Sequence, residues 1–231
     1  MTVLLLKLAG PLQAWGSSSR FARRDTDEQP TRSGVLGLLA AAQGRRRTDS
    51  LEDLLHLRFG VRVDQPGQLM SDYQTARARG AKHSMLTWRY YLSDALFVAA
   101  VESPDAGLLQ TLDAALRQPR FPLYLGRRSC PPAGPVTLGL REGTMNSVLT
   151  SEKWHASDRH QRRHSSTRVA LRVVRDAEPG ESGATVRDVP LSFDPEHRSY
   201  GWRTVVDVHP ATVTNPFGRD EAHDPMDLLE A

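Results

Sequence analysis

ALFVAAVESPDAGLLQTLDAALRQP, residues 95–119, predicts a strand that leads directly into an amphipathic helix. The run ALFVAAVE (95–102) has the continuous apolar character of a buried strand. Ser103-Pro104-Asp105 is typical of an N-cap followed by proline in the first turn. The helix then ends at Pro119, after placing on one face the side chains of Leu108, Leu109, Leu112, Ala115 and Leu116.

A second unit of strand and helix opens the chain. Residues 2–9 predict a fully buried strand, and residues 33–43 predict a helix that is apolar nearly all round. The alternation within 59–63 and the stretch PVTLGLRE (135–142) predict two further strands. The resulting order is β-α-β-β-α-β. We therefore expect an α+β fold of the ferredoxin-like type, with two helices on one face of an antiparallel sheet.

Composition divides the chain into three parts. Residues 1–142 are predicted to form the ferredoxin-like domain, with 70–92 inserted between its second and third strands as a protruding arm. Residues 143–218 predict a small β-rich element that contains a basic, mobile stretch at 151–168. Residues 219–231 hold five acids and one arginine and are predicted to form an acidic tail outside the fold.

The charge balance favours a polyanionic partner. The chain has 30 Lys and Arg against 27 Asp and Glu, and the acidic tail leaves the remainder clearly basic. Arginine pairs with phosphate through two hydrogen bonds, although a GC-rich genome also raises arginine content. The single cysteine, Cys130, suits a reducing cytoplasm. The apolar run at the start is too short for a signal peptide or a membrane span.

Positive charge crowds the start of the first helix, where the helix dipole is already positive. Thr31 can cap this helix, which leaves backbone N–H groups at Arg32 and Ser33 free to bind a phosphate. The side chains of Arg32 and Ser33 would add donors to the same phosphate, and Arg23 and Arg24 lie just upstream. The alternative is that Arg23, Arg24 and Arg32 form surface ion pairs with the acids of DTDE (25–28).

Two other stretches have the composition of a nucleic-acid contact. YLGRRSCPPAG (124–134) combines a glycine with the donors of Arg127, Arg128 and Ser129, which predicts a phosphate cradle or, alternatively, a solvated turn. LAGPLQAWGS (8–17) presents Gln13 and Trp15 between glycines. Trp15 would stack on a base, unless it fills the core beside the turn, which is the commoner role of a lone tryptophan.

The arm at 70–92 has the residue types for metal-independent RNA cleavage. Tyr73, Lys82 and His83 could supply the base and the cations of that reaction, although an exposed histidine without such a role is the commoner case. The second half of the arm alternates an aromatic face with a mixed face. The other cations of the arm that are candidate contacts are Arg77, Arg79 and Arg89.

Metal and nucleotide chemistry find no support in the sequence. His155, His160 and His164 lie among arginines that would repel a dication, so no metal site is expected. The chain has no phosphate-binding loop, no nucleophile elbow and no HExxH motif. We therefore expect no cofactor.

Five motifs occur in the order and at the spacing of a known family: LAGPLQAWG (8–16), PTRSGVLGLLAAA (30–42), DYQT (72–75), TWRYYLSDALF (87–97) and YLGRRSCPP (124–132). In these motifs the chain resembles the CasD-type subunits of type I-E CRISPR Cascade complexes, which belong to the RAMP superfamily. Beyond 143 the resemblance rests on RDVPLSF (187–193) and SYGWRTVV (199–206), which are similar to the closing strands of the family.

The resemblance implies an RNA-binding subunit with a ferredoxin-like (RRM-like) domain, a thumb hairpin at 70–92 and a small C-terminal β element. Such a subunit caps the 5′ handle of the CRISPR RNA and contacts the backbone subunit CasC and the large subunit CasA, with target DNA nearby. It is regarded as non-catalytic, whereas type I-C relatives cut repeat RNA with a Tyr/Lys/His set. The candidate RNA contacts are Gln13, Trp15, Arg23, Arg24, Arg32, Ser33, Tyr73, Arg77, Arg79, Lys82, His83, Arg89, Arg127, Arg128 and Ser129.

Overall fold

The computed structural model describes residues 1–16, 23–77, 79–80 and 82–219. The helices and strands of these residues are, in chain order, β1 (Thr2–Ala9), β2 (Leu12–Gln13), β3 (Arg23–Arg24), α1 (Arg32–Gln43), α2 (Glu52–Leu55), β4 (Arg58–Gln65), β5 (Gln68–Ala76), β6 (Met85–Ser93), β7 (Leu96–Ser103), α3 (Ala106–Arg117), β8 (Thr137–Glu142), α4 (Met145–Ser151), α5 (Asp158–Gln161), β9 (Arg168–Asp176), β10 (Ala184–Ser192) and β11 (Ser199–Thr214). Within these ranges no helix has both the length and the apolar character needed to cross a membrane.

A seven-stranded antiparallel sheet forms the centre of the molecule, in the order β10-β11-β9-β4-β7-β1-β8. The expected mixed α+β architecture is confirmed. The four strands predicted for the first domain lie together as β8-β1-β7-β4, with α1 following β1 and α3 following β7.

Both faces of this sheet are covered at β1, which explains why β1 is apolar at nearly every position. Leu4, Leu6 and Leu8 belong to the core that includes α1 and α3. Val3 and Leu5 point to the other face, where they pack with α4.

The two long helices begin at side-chain caps. Thr31 accepts a hydrogen bond from the N–H of Gly34 at the start of α1, as the sequence predicts. At the start of α3 the cap is Asp105, which accepts from the N–H of Leu108. The prediction that Ser103 is the N-cap, with Pro104 in the first turn, is wrong. Ser103 closes β7 instead, and Pro104 lies before the helix.

The C-terminal strands do not form a unit of their own. They extend the central sheet, because β9 pairs with β4 through Gly60, Val61 and Arg62. Gly60 suits this position because a Cβ there would lie 2.5 Å from the Sδ of Met145 in α4. The domain division at residue 142 therefore does not correspond to a break in the sheet.

The first residues of the stretch 151–168, which the sequence predicts to be mobile, make buried contacts in the structure. Arg62 has no exposed surface, and its guanidinium donates to the carbonyl oxygens of Leu149, Glu152 and Lys153 at 2.5–2.7 Å. The indole N–H of Trp154 donates to the Asp64 carbonyl at 2.8 Å. These contacts anchor the backbone at residues 152–154, just before the arginines of the stretch. Except for Arg219, the predicted acidic tail lies outside the described residues.

Residues 68–93 form a long hairpin apart from the main sheet, at the position of the predicted arm. β5 pairs with β6 from Gln68↔Ser93 to Ala76↔Met85. The opposite edge of β6 is paired with β2 and β3. The hairpin is therefore anchored at its root, and no strand of the described residues other than β5 pairs with β6 between Met85 and Thr87.

Candidate nucleic-acid interface

The start of α1 already holds an anion from the protein itself. The N–H of Arg32 donates to the Asp188 carboxylate at 2.7 Å. The Arg32 guanidinium contacts the Asp176 carboxylate at 3.3 Å and the Leu55 and Leu57 carbonyls at 2.6 and 2.8 Å. Desolvation lowers the pKa of this guanidinium, and Asp176 opposes that shift. Arg32 and Ser33 are both buried. Their assignment as RNA contacts is wrong, because Asp188 occupies the place predicted for phosphate.

Gln13 and Trp15 are also withdrawn from the interface, because neither has exposed surface. The Gln13 amide donates to the Leu8 and Ala95 carbonyls at 3.0 and 2.7 Å. Its oxygen accepts from the indole N–H of Trp15 at 3.0 Å. These contacts fix the turn after β1 inside the core, which is the alternative that the sequence left open for Trp15.

Tyr73, Trp88 and Tyr90 share one face of the hairpin. Tyr73 lies opposite Trp88 in the strand pairing, and Tyr90 follows two residues later on the same side of β6. The rings of Tyr73 and Trp88 are 4.5 Å apart and 49% and 48% exposed. Neighbouring exposed aromatic rings form a contiguous apolar patch of the kind that marks an interaction site, whereas a single exposed apolar residue is common. We call Tyr73, Trp88 and Tyr90 the aromatic face.

Arg23 adds positive charge to the aromatic face. Its guanidinium lies 5.0 Å from the centre of the Tyr90 ring. It also pairs with Asp25 at 3.0 Å, and both side chains are largely exposed. An exposed pair of this kind contributes little to stability and can be exchanged for a phosphate. Arg23 therefore remains a candidate contact, while the predicted ion pair with the DTDE stretch is also present.

The tip of the hairpin is cationic and exposed. Arg77, Arg79, Lys82 and His83 all lie on the surface there. Gly80 has a φ of +85° at the turn, and apart from its chain neighbours no described residue has an atom within 4 Å of a Cβ placed on it. These cations remain predicted RNA contacts.

Arg127, which belongs to the predicted phosphate cradle, lies on the opposite face of β6. Arg127 is half-buried 4.6 Å above the Tyr91 ring and donates to the carbonyl oxygens of Tyr90 and Arg24, each at 3.3 Å. Its guanidinium thus holds β3 against β6. Gly126 approaches the chain so closely that a Cβ would lie 1.9 Å from the Ala14 carbonyl oxygen. The packing of Gly126 against Ala14 therefore shapes the 126–129 loop.

The predicted arginines do not converge on one face. Arg24, Arg128 and Ser129 are exposed, and Arg89 is half-buried. The Nε of Arg89 is buried, with no hydrogen-bond partner in the described part of the chain. Because Arg89 and Trp88 are adjacent in a strand, they point to opposite sides. The hairpin thus offers an aromatic side with Arg23 and a cationic side with Arg89 and Arg127.

Trp88 and Tyr90 were missing from the candidate contacts. The signal that could have found them is the alternation of aromatic and mixed residues in MLTWRYYLS (85–93), which shows that their side chains point to the same face. The sequence could not show that this face is uncovered, because that depends on what packs over the hairpin.

Tyr73 lies apart from Lys82 and His83 along the hairpin, so the three residues considered for catalysis do not lie together. Tyr73 lies within β5 against Trp88, whereas Lys82 and His83 lie in the turn beyond β5. Over the described ranges, no three His, Cys, Asp or Glu residues come together as metal ligands. Cys130 is buried, and desolvation raises the pKa of its thiol, so it is not an activated nucleophile.

Comparison with known proteins gives a consistent result. Residues 3–206 match the family model of the CRISPR-associated protein family Cas_Cas5. The chain is 41% identical over 156 residues, 59% of its length and 70% of the relative, to "CRISPR system Cascade subunit CasD" of Escherichia coli (strain K12).

Two solved structures are similar over nearly the whole chain. One, described as a CRISPR RNA-guided surveillance complex, gives a TM-score of 0.77 at 33% identity and covers 99% of this chain and 98% of that chain. The other, described as a crystal structure of a Cas protein, gives 0.69 at 36% identity, with 94% and 97% covered. With a family match that spans both the hairpin and the C-terminal strands, the chain belongs to the Cas5 family of CRISPR-associated proteins.

Proposed function

We propose that this protein is the non-catalytic subunit that caps the 5′ handle of CRISPR RNA in a Cascade-type complex and so supports antiviral DNA interference. The observation that carries the proposal is the exposed aromatic face of the hairpin, with Arg23 beside it and cations at the tip. Unpaired nucleotides are held in proteins by stacking on aromatic rings, while cations contact their phosphates.

The same proposal assigns the parts of the fold. We infer that β1-α1-β4-β7-α3-β8 is a ferredoxin-like domain, because its strand order and helix positions are those of that fold. The β5–β6 hairpin is its thumb. By analogy with relatives named as a Cascade subunit and a surveillance complex, its neighbours are CasC and CasA, with target DNA nearby, in the cytoplasm.

The tip cations should make RNA binding depend on salt. For single-stranded RNA, log K falls with log salt concentration with a slope of about −0.7 for each phosphate contacted. We expect the double variant Arg79→Ala/Lys82→Ala to reduce the slope by about 0.7 for each phosphate that these side chains no longer neutralise. Fluorescence anisotropy with a labelled handle RNA at several salt concentrations measures this slope.

The matched control for this experiment is Arg117→Ala. Arg117 is an exposed arginine on α3 that already pairs with Asp113 at 3.0 Å. The Arg117→Ala variant should show the same slope of log K against log salt concentration as the unmodified protein. If the double variant has the same slope as this control, the tip does not contact phosphate.

The absence of cleavage is tested separately. We expect the purified protein to leave single-stranded CRISPR repeat RNA intact in EDTA, because Tyr73 lies in the strand while Lys82 and His83 lie in the turn. Denaturing gel electrophoresis measures the cut fraction. Cleavage that disappears in His83→Ala would contradict the proposal and would make the protein an endoribonuclease like its type I-C relatives.

A further inference from the structure

A cleft of about 580 Å³ lies between the root of the hairpin and the stretch 154–172. The hairpin contributes Leu69 and Leu92, and the opposite wall contains Trp154, His160 and His164. Leu69 is 67% exposed although it is a large apolar residue. A cleft of this size is sufficient for one nucleotide, since small-molecule sites begin at about 300 Å³.

The cleft is continuous with the aromatic face. Leu69 pairs with Leu92, Ser71 pairs with Tyr90, and Tyr73 pairs with Trp88. Positions two residues apart in a strand point to the same side. A strand of nucleotides that follows Trp88 and Tyr90 toward the root of the hairpin therefore arrives at Leu69 and at the mouth of the cleft.

The far wall has the chemistry that recognises a base. The His160 and His164 rings lie 5.9 and 5.4 Å from the Trp154 ring, and 5.1 Å from each other. Desolvation, with His164 and Arg163 adding to it, lowers the pKa of His160. His160 is therefore neutral at pH 7, and a neutral imidazole has one donor and one acceptor for the edge of a base. Leu69 and Leu92, on the opposite wall, provide an apolar surface for the ring of the base.

Cations for the adjoining phosphates lie next to the cleft. Arg159 and Arg163 are exposed and line a neighbouring pocket that shares Pro66, Gly67 and His160 with the cleft. Neither arginine has an ion pair with another residue of the described ranges. Arg159 and Arg163 belong to the 151–168 stretch, and neither of them contributes to the aromatic face.

We propose that this cleft receives one unstacked nucleotide of the bound RNA. Its base lies between Leu69 and the imidazoles of His160 and His164, and its phosphate faces Arg159 and Arg163. The inference rests on the proposed function, because it extends the same RNA strand from the aromatic face onto the C-terminal half of the chain.

Photocrosslinking of the full chain tests this placement. The probes are single-stranded RNAs of the 5′ handle, each with 4-thiouridine at one position. We expect neighbouring positions to crosslink to the 85–93 strand and one position to crosslink within 154–172. The double variant His160→Ala/His164→Ala should lose the second crosslink and bind RNA about tenfold more weakly, the value of roughly one stacked base.

A second variant avoids any effect on the buried wall. Leu69→Asp places a carboxylate at the mouth of the cleft on a side chain that is already exposed, and it should also weaken binding about tenfold. The control is Leu191→Asp, the same change at a 55% exposed position on β10, which should bind normally.

The outcomes separate the two proposals. If the unmodified protein binds no handle RNA, the proposed function fails. If RNA binds and crosslinks to the hairpin, but never to 154–172, and Leu69→Asp binds like its control, only the nucleotide cleft is overturned. Unchanged affinity and an unchanged crosslink in the histidine variant would also overturn it.

Discussion

Replacing Arg62 with alanine is expected to lower the free energy of unfolding by about 3–5 kcal/mol, the cost of breaking a buried ion pair. Arg62 and Asp64 have no exposed side-chain surface and pair at 2.7 Å. The substitution leaves the Asp64 carboxylate buried without its cation. It also leaves the carbonyl oxygens of Leu149, Glu152 and Lys153 without their donor.

Urea denaturation followed by circular dichroism measures this loss. The matched control is Arg172→Ala, which breaks an ion pair with Asp207 at 2.6 Å in which both partners are about half exposed. We expect less than about 1 kcal/mol there, because water screens and solvates an exposed pair. Arg62→Lys keeps the charge and should remain folded with an intermediate loss. Equal losses in Arg62→Ala and Arg172→Ala would show that burial of the Arg62 pair does not matter.

Trp88→Ala is expected to weaken binding of the 5′-handle RNA by about 1–3 kcal/mol, the contribution of stacking one base on an aromatic ring. This corresponds to roughly 5- to 150-fold in Kd. Trp88 lies at the centre of the aromatic face, against Tyr73 and two residues before Tyr90. Because its ring is nearly half exposed, its removal should cost little folding stability.

Fluorescence anisotropy with a labelled handle RNA gives this Kd. Trp202→Ala is the matched control, since Trp202 is a 66% exposed tryptophan on β11 with Arg187 5.8 Å from its ring. Its substitution should leave the Kd unchanged. Trp88→Phe should recover most of the affinity. If Trp88→Ala and Trp202→Ala bind RNA equally well, the aromatic face is not the stacking surface.

Periodicity identified the regular elements well. The strand at 2–9 and the helix near 33–43 were predicted almost to their ends, because apolar runs and caps are local properties of the sequence. The cap of α3 was assigned wrongly to Ser103. Ser103 and Asp105 are both cap-forming residues on either side of Pro104, and only the path of β7 decides between them.

The candidate site was predicted less well than the fold. The hairpin and its cations were found because their polar composition marks a segment that cannot be buried. The alternation in the second half of the arm predicted an aromatic face, but Trp88 and Tyr90 were not included among the candidate contacts. An exposed aromatic and a buried aromatic have the same local pattern, as Trp88 and Trp15 show.

The sequence by itself determined the succession of strands and helices, the excess of arginine and the family motifs, since each depends on residues close together in the chain. The tertiary structure alone decided which cations remain free to bind a ligand. The acids that hold Arg32 are Asp176 and Asp188, 144 and 156 residues away in the chain. Burial and charge pairing depend on contacts between distant segments, and no local pattern records them.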